Sequence, residues 1–143
     1  MDLLHMLQVS ASALTAERTR LQTVSSNIAN ARTTKTAEGG PYTRKVPVFR
    51  STPVSQDPFA SVLDKKLQAP RVVDVVADTR DPEMVYDPGH PDADPETGLV
   101  AMPNVNMVEE MVDMISASRS YEANVTAIGA TKNMALKALE IGR

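Results

Sequence analysis

The chain has 143 residues, a net charge of −3 and 42% apolar residues, with no Cys, no Trp, three Tyr and two Phe. That length suits one domain rather than several. The lack of Cys excludes a disulfide scaffold and a Cys-ligated metal centre, and the acidic balance with few aromatics argues against a nucleic-acid-binding face.

Position adds more than composition. All ten prolines lie between Pro41 and Pro103, and the first 40 and last 40 residues contain none. No run of about 18 apolar residues is present to span a membrane. Residues 1–16 open on Asp2 and are interrupted by His5, Gln8, Ser10 and Ser12. They therefore lack the basic start and apolar run of a secretory signal, and no cleaved signal is expected.

The first predicted element is a helix. Leu7, Leu14, Leu21 and Ile28 stand seven apart, with Leu3, Leu4, Ala11, Arg18 and Val24 between them. This spacing lays an apolar stripe along roughly 28 residues, about 42 Å of helix. A strict seven-residue repeat favours supercoiling against a partner helix. The pattern fades near Asn30, where a polar, β-branched stretch begins. Only Asp2, Glu17, Arg18 and Arg20 are charged in residues 1–31, and small polar residues such as Ser12, Thr15, Thr23 and Asn27 fill the other face. A solvent-facing helix usually displays more charge, so this face reads as one covered by protein.

The middle cannot be helical for long. Tyr42–Arg50 reads as a short strand held at an edge by Pro47. The valine-rich run Arg71–Ala77 is the best strand, Met84–Tyr86 a third, and Leu99-Val100 a fourth candidate. Residues 51–69 are poorly patterned and read as a mobile insertion.

The last predicted element is a second helix, from Asn106 to Ile141. Asn106 can cap it, with Glu109 three residues on. Met107, Met114, Tyr121, Ile128 and Ala135 fall seven apart, and Met111, Ser118, Val125, Lys132 and Leu139 form the complementary seam. The cluster Met107, Met111 and Met114 suits either core packing or an adaptable contact surface, because thioethers are flexible.

The fold expected from these elements is mainly α with a small β module. Long terminal helices, residues 1–31 and 104–143, form a coiled-coil-like hairpin, parallel or antiparallel. A proline-rich β module, residues 32–103, lies between them.

Chemistry-bearing residues are few. Asp87, His90, Asp92 and Asp94 resemble ligands for Zn, Mn or Ca. The same stretch holds Pro88, Gly89, Pro91 and Pro95, and Asp side chains bonding nearby amides make turns, so a structural loop is the preferred reading. No nucleophile elbow, Walker loop or G-x-G-x-x-G is present. No catalytic, metal or cofactor site is expected.

Several segments are recognisable together. Ser26-Asn27-Ile28-Ala29-Asn30-Ala31, followed by Thr33 or Thr34, resembles the S-x-N-x-A-N-x-x-T signature of bacterial flagellar axial proteins. Gly40-Pro41-Tyr42, Tyr86-Asp87-Pro88-Gly89-His90-Pro91, Gly98 to Val105 with Asn104, and Met114 to Asn124 resemble the proximal rod proteins of the flagellar basal body. The resemblance covers roughly residues 1–50 and 84–143. It implies a structural subunit that carries torque and forms part of an export tube wall, with both chain ends in a helical coiled domain and a small β domain outside. It also implies export unfolded through the flagellar type III apparatus into the periplasm. The implied neighbours are copies of itself, other rod proteins and the MS-ring/export-gate adaptor, with peptidoglycan as a further candidate. The signature residues and the helix seams would then be assembly residues, and Tyr86, Pro88 and His90 would belong to a structural loop. Two rival readings are a coiled-coil adaptor outside the rod and a metal-dependent hydrolase built on His90 and its neighbouring Asp residues.

Overall fold

The computed structural model describes residues 3–54 and 67–141. Six elements follow in chain order: α1 (Leu3–Ala29), β1 (Lys45–Pro53), β2 (Gln68–Ala77), β3 (Glu83–Tyr86), β4 (Leu99–Met102) and α2 (Met107–Ile141). The helices have 27 and 35 residues, about 40 and 52 Å long. Both run unbroken in the segments that lack proline. Asn106 caps α2, its Oδ1 accepting from the Val108 and Glu109 amides at 3.0 and 3.4 Å.

Among the described residues the strands form two separate antiparallel pairs, β1 with β2 and β3 with β4. In the first ladder Val48 faces Asp74 and Phe49 faces Val72, so Val73 is an extra residue and the ribbon bends there. The ladder runs further into the 51–69 stretch than its polar sequence suggests: Ser51, Thr52 and Pro53 pair with Pro70, Ala69 and Gln68. Burial explains the extension. Ala69 is buried, and the Ser12 hydroxyl of α1 donates to the Pro70 carbonyl at 2.6 Å. The rest of the insertion expected to be mobile, residues 55–66, lies outside the described residues.

The two helices pack on each other. Asn27 meets Glu110 and Arg20 meets Asp113, so they run antiparallel where they touch. The stripe residues Leu7, Leu14, Leu21 and Ile28 are only half-buried. The buried positions of α1 are Ala16, Thr23, Val24 and Asn27. Small and polar residues thus occupy the buried positions of α1, and the leucines are less covered.

The seam on α2 differs from the expected one by a single residue. Met114, Tyr121, Ile128 and Ala135 are half-buried, but Met111, Val125, Lys132 and Leu139 are exposed. Their place is taken by Glu110, Ala117 and Thr131, all buried, with half-buried Asn124 at the same seven-residue spacing. Alanine and threonine let the helix axes approach, and Glu110 is drawn inward by Asn27 of α1 and by Arg44 just before β1. Met107 and Met111 are likewise exposed rather than in the core.

Beside Pro103, only Ala16, Val24, Ala69, Val100 and Ala117 are buried apolar residues among those described. No described helix is long and apolar enough to cross a membrane.

Candidate functional site: a buried polar junction

The described part of the chain is tied together where the end of α1, the start of β1, the end of β2 and the start of α2 converge. Asn27 stands at the centre, 1% exposed. Its Nδ2 donates to the Lys45 carbonyl at 2.8 Å and to Glu110 Oε2 at 3.0 Å. Its Oδ1 accepts from the Lys45 amide at 3.0 Å and the Tyr42 hydroxyl at 2.9 Å. All four bonding positions of the side-chain amide are filled. No other residue type has two donors and two acceptors in so short a side chain, which accounts for an asparagine here.

Glu110 is fully buried (0% exposed). A buried carboxylate needs partners, and Arg44 Nε donates to Glu110 Oε1 at 2.6 Å. The same guanidinium lies 3.4 Å from Asp78 and 3.7 Å from Asp113, and Arg20 closes on Asp113 at 3.0 Å. Burial works against the Arg44 charge; hydrogen bonds and charge from Glu110, then Asp78, outweigh it and hold its pKa above the ordinary value. Asp78 titrates below its usual range, chiefly because the Arg80 side chain and then the Arg80 amide donate to it.

Asn104 completes the junction. Its Oδ1 accepts from the Arg44 amide at 2.8 Å, and its Nδ2 donates to the Arg80 carbonyl at 2.8 Å. The loop after β2 is thereby fastened to the residues that precede α2.

The other signature residues work locally. Asn30 Nδ2 donates to the Ser26 carbonyl at 2.9 Å, and its Oδ1 accepts from Thr33 at 3.3 Å, which closes the end of α1. Ser26 Oγ lies 3.5 Å from the Tyr42 hydroxyl. Ala29 is exposed, half-buried Ile28 flanks the seam, and Asn124 donates back to the Ser120 carbonyl at 2.9 Å.

The loop after β3 is a separate feature. Tyr86 is exposed, and its ring lies over Gly98, where an added Cβ would sit 2.8 Å from Cε2; Gly98 also holds φ +67°. Two of the loop's acids brace its own turns, and a third ties it to the segment after α1. Asp87 Oδ1 accepts from the Gly89 amide, Asp94 Oδ1 from the Glu96 amide, and Asp92 Oδ2 from the Thr34 hydroxyl. His90 Nδ1 accepts from the Asp92 amide at 3.1 Å. Among the described residues no three His, Asp or Glu come together as a ligand set.

Of the residues singled out in the sequence, the junction gathers Asn27, Tyr42 and Asn104, with Ser26 at its edge. It does not include Tyr86, Pro88 or His90, nor the exposed Met107, Met111, Val125 and Leu139. Arg44, Glu110, Asp78, Asp113 and Lys45 were not foreseen. Glu110 carries one weak signal: it stands seven residues before Ala117 and fourteen before Asn124, in phase with the closed seam.

Two family models match the chain, and their segments meet at this junction. "Flagella basal body rod protein" matches residues 7–35, which hold Asn27. "Flagellar basal body rod FlgEFG protein C-terminal" matches residues 96–141, which hold Asn104, Glu110 and Asp113. The flagellar basal-body rod protein FlgC of Bacillus subtilis is 46% identical over all of both chains. That of Borreliella burgdorferi is 44% identical over 99% of this chain and 98% of its own, and that of Escherichia coli O6:H1 is 42% identical over all of both. The chain belongs to the FlgC family of flagellar basal-body rod proteins.

Proposed function

We propose that the protein is a structural subunit of the proximal rod, transmitting torque and forming part of the export tube wall, and not an enzyme. One observation carries this reading beyond the family match. Six apolar residues, Pro103 included, are buried among those described, while Leu4, Met6, Val108, Met111, Val112, Ile115 and others stand exposed along both helices. Val108, Met111, Val112 and Ile115 fall on one face of α2, an exposed apolar patch of the kind that marks a protein–protein contact, so neighbouring subunits complete the core.

In this reading the antiparallel helices act as a coiled-coil-like hairpin within the wall and the β strands form an outer module. Leu7, Leu14, Leu21, Ile28, Met114, Tyr121 and Ile128 hold the helices in register. The chain leaves the cytoplasm through the flagellar type III apparatus and assembles in the periplasm against copies of itself, other rod proteins and the MS-ring/export-gate adaptor. Peptidoglycan is the outer neighbour.

Leu14→Asp and Ile28→Asp test the role. Each places a charge on a half-buried flank of the helix seam. Rod assembly and motility are expected to be lost while the protein is still made. Normal swimming by either variant would overturn the reading.

A further inference from the structure

The face of α2 turned away from α1 is apolar over its first turns. Val108, Met111, Val112 and Ile115 are 69%, 48%, 61% and 55% exposed, and their spacing puts them in one ridge about 10 Å long. Glu109 lies at the edge of this ridge and Glu122 continues it; neither forms an ion pair among the described residues, and Arg119 lies between them.

The other helix presents the opposite shape. A groove of about 360 Å³ runs beside α1, floored by Ala11, Ser12, Thr15 and Thr19 and walled by Arg71 and Val72 of β2. From Ala11 to Thr19 it spans about 12 Å. Arg71 on its wall and Arg18 beside it are exposed and make no ion pair among the described residues. Bulky aliphatics with unpaired glutamates on one surface thus face a small-residue groove with unpaired arginines on another.

We propose that the Val108–Ile115 ridge of one copy docks into the Ala11–Thr19 groove of a second copy, with Glu109 and Glu122 meeting Arg71 and Arg18. This rests on the rod-subunit reading and names one of its contacts. The two surfaces differ, so the contact is heterologous. Each added copy leaves a fresh ridge and a fresh groove, and the array grows as an open helix or closes as a ring. Opposite charges at the edges fix the register and speed encounter.

Because the chain has no Cys, introduced thiols report the contact cleanly. Chains carrying Val112→Cys and chains carrying Thr15→Cys are co-expressed in the native host, and isolated basal bodies are oxidised. The expected product is a dimer of one chain of each kind, formed only when both are present and at least tenfold above either alone. Incorporation without that dimer overturns the proposal. So does a Val112→Cys homodimer, or a cross-link from Val112→Cys to a different basal-body protein. If the cysteine chains do not incorporate, a charge exchange decides. Arg71→Glu should reduce incorporation at least fivefold, and Arg71→Glu with Glu109→Arg in the same chain should restore it. A double variant no better than Arg71→Glu overturns the docking. Failure of the unsubstituted chain to enter basal bodies would instead sink the rod-subunit reading.

Discussion

Asn27, Arg44 and Glu110 form one connected set of contacts, and each depends on the others. Removing Arg44 strands the fully buried Glu110 carboxylate, a loss of about 3–5 kcal/mol. Removing Asn27 leaves both backbone groups of Lys45 and one Glu110 oxygen without partners, a loss of about 2–3 kcal/mol. Arg44→Ala should therefore lower the thermal unfolding temperature of the purified chain more than Asn27→Ala. The double variant should cost less than the sum of the two, since both injure Glu110. Strictly additive losses would mean that the three residues do not act as a unit. Little of this could be read in advance. Asn27 stood out through its signature, but Arg44 and Glu110 are 66 residues apart and an ion pair across that distance leaves no local pattern. Glu110 beside Glu109 on a helix reads as solvated charge, and only its three-dimensional neighbours bring it inside.

At the level of elements the sequence was far more informative. Both helices, their proline-free extents and the Asn106 cap follow from spacing and residue type, and each of the four strands overlaps a run rich in valine, tyrosine or methionine. The helix face was harder, because apolar content and burial disagree on α2. Its closed side is Glu110, Ala117, Asn124 and Thr131, while Val108, Met111, Val112 and Ile115 look outward. A period-seven search scored by hydrophobicity favours the bulky residues, whereas close packing of two helices favours small ones. The consequence is measurable. Ala117→Leu forces a large side chain into a position with no exposed surface and should destabilise the purified chain by about 1–3 kcal/mol. Met111→Ala, on the open face, should change thermal stability by less than about 0.5 kcal/mol. Equal effects at the two positions would place the seam wrongly.

Over the whole molecule, the uneven placement of proline marks how labour is divided. The ends make long helices and the middle makes strands and turns, and one polar junction holds the end of α1, β1, β2 and the start of α2 together. The apolar surface left open on both helices gives the chain the character of a brick rather than a finished body. The polar groups of its junction are satisfied internally, and its exposed apolar groups await neighbours. The most direct test is electron cryo-microscopy of basal bodies from the native host, with this chain traced in the density. The account predicts the chain in the proximal rod, its helices antiparallel in the wall, Asn27, Arg44 and Glu110 joined, and the Val108–Ile115 ridge covered by a neighbouring subunit. A chain found outside the rod, or within it with the helices apart and that ridge facing water, would contradict it.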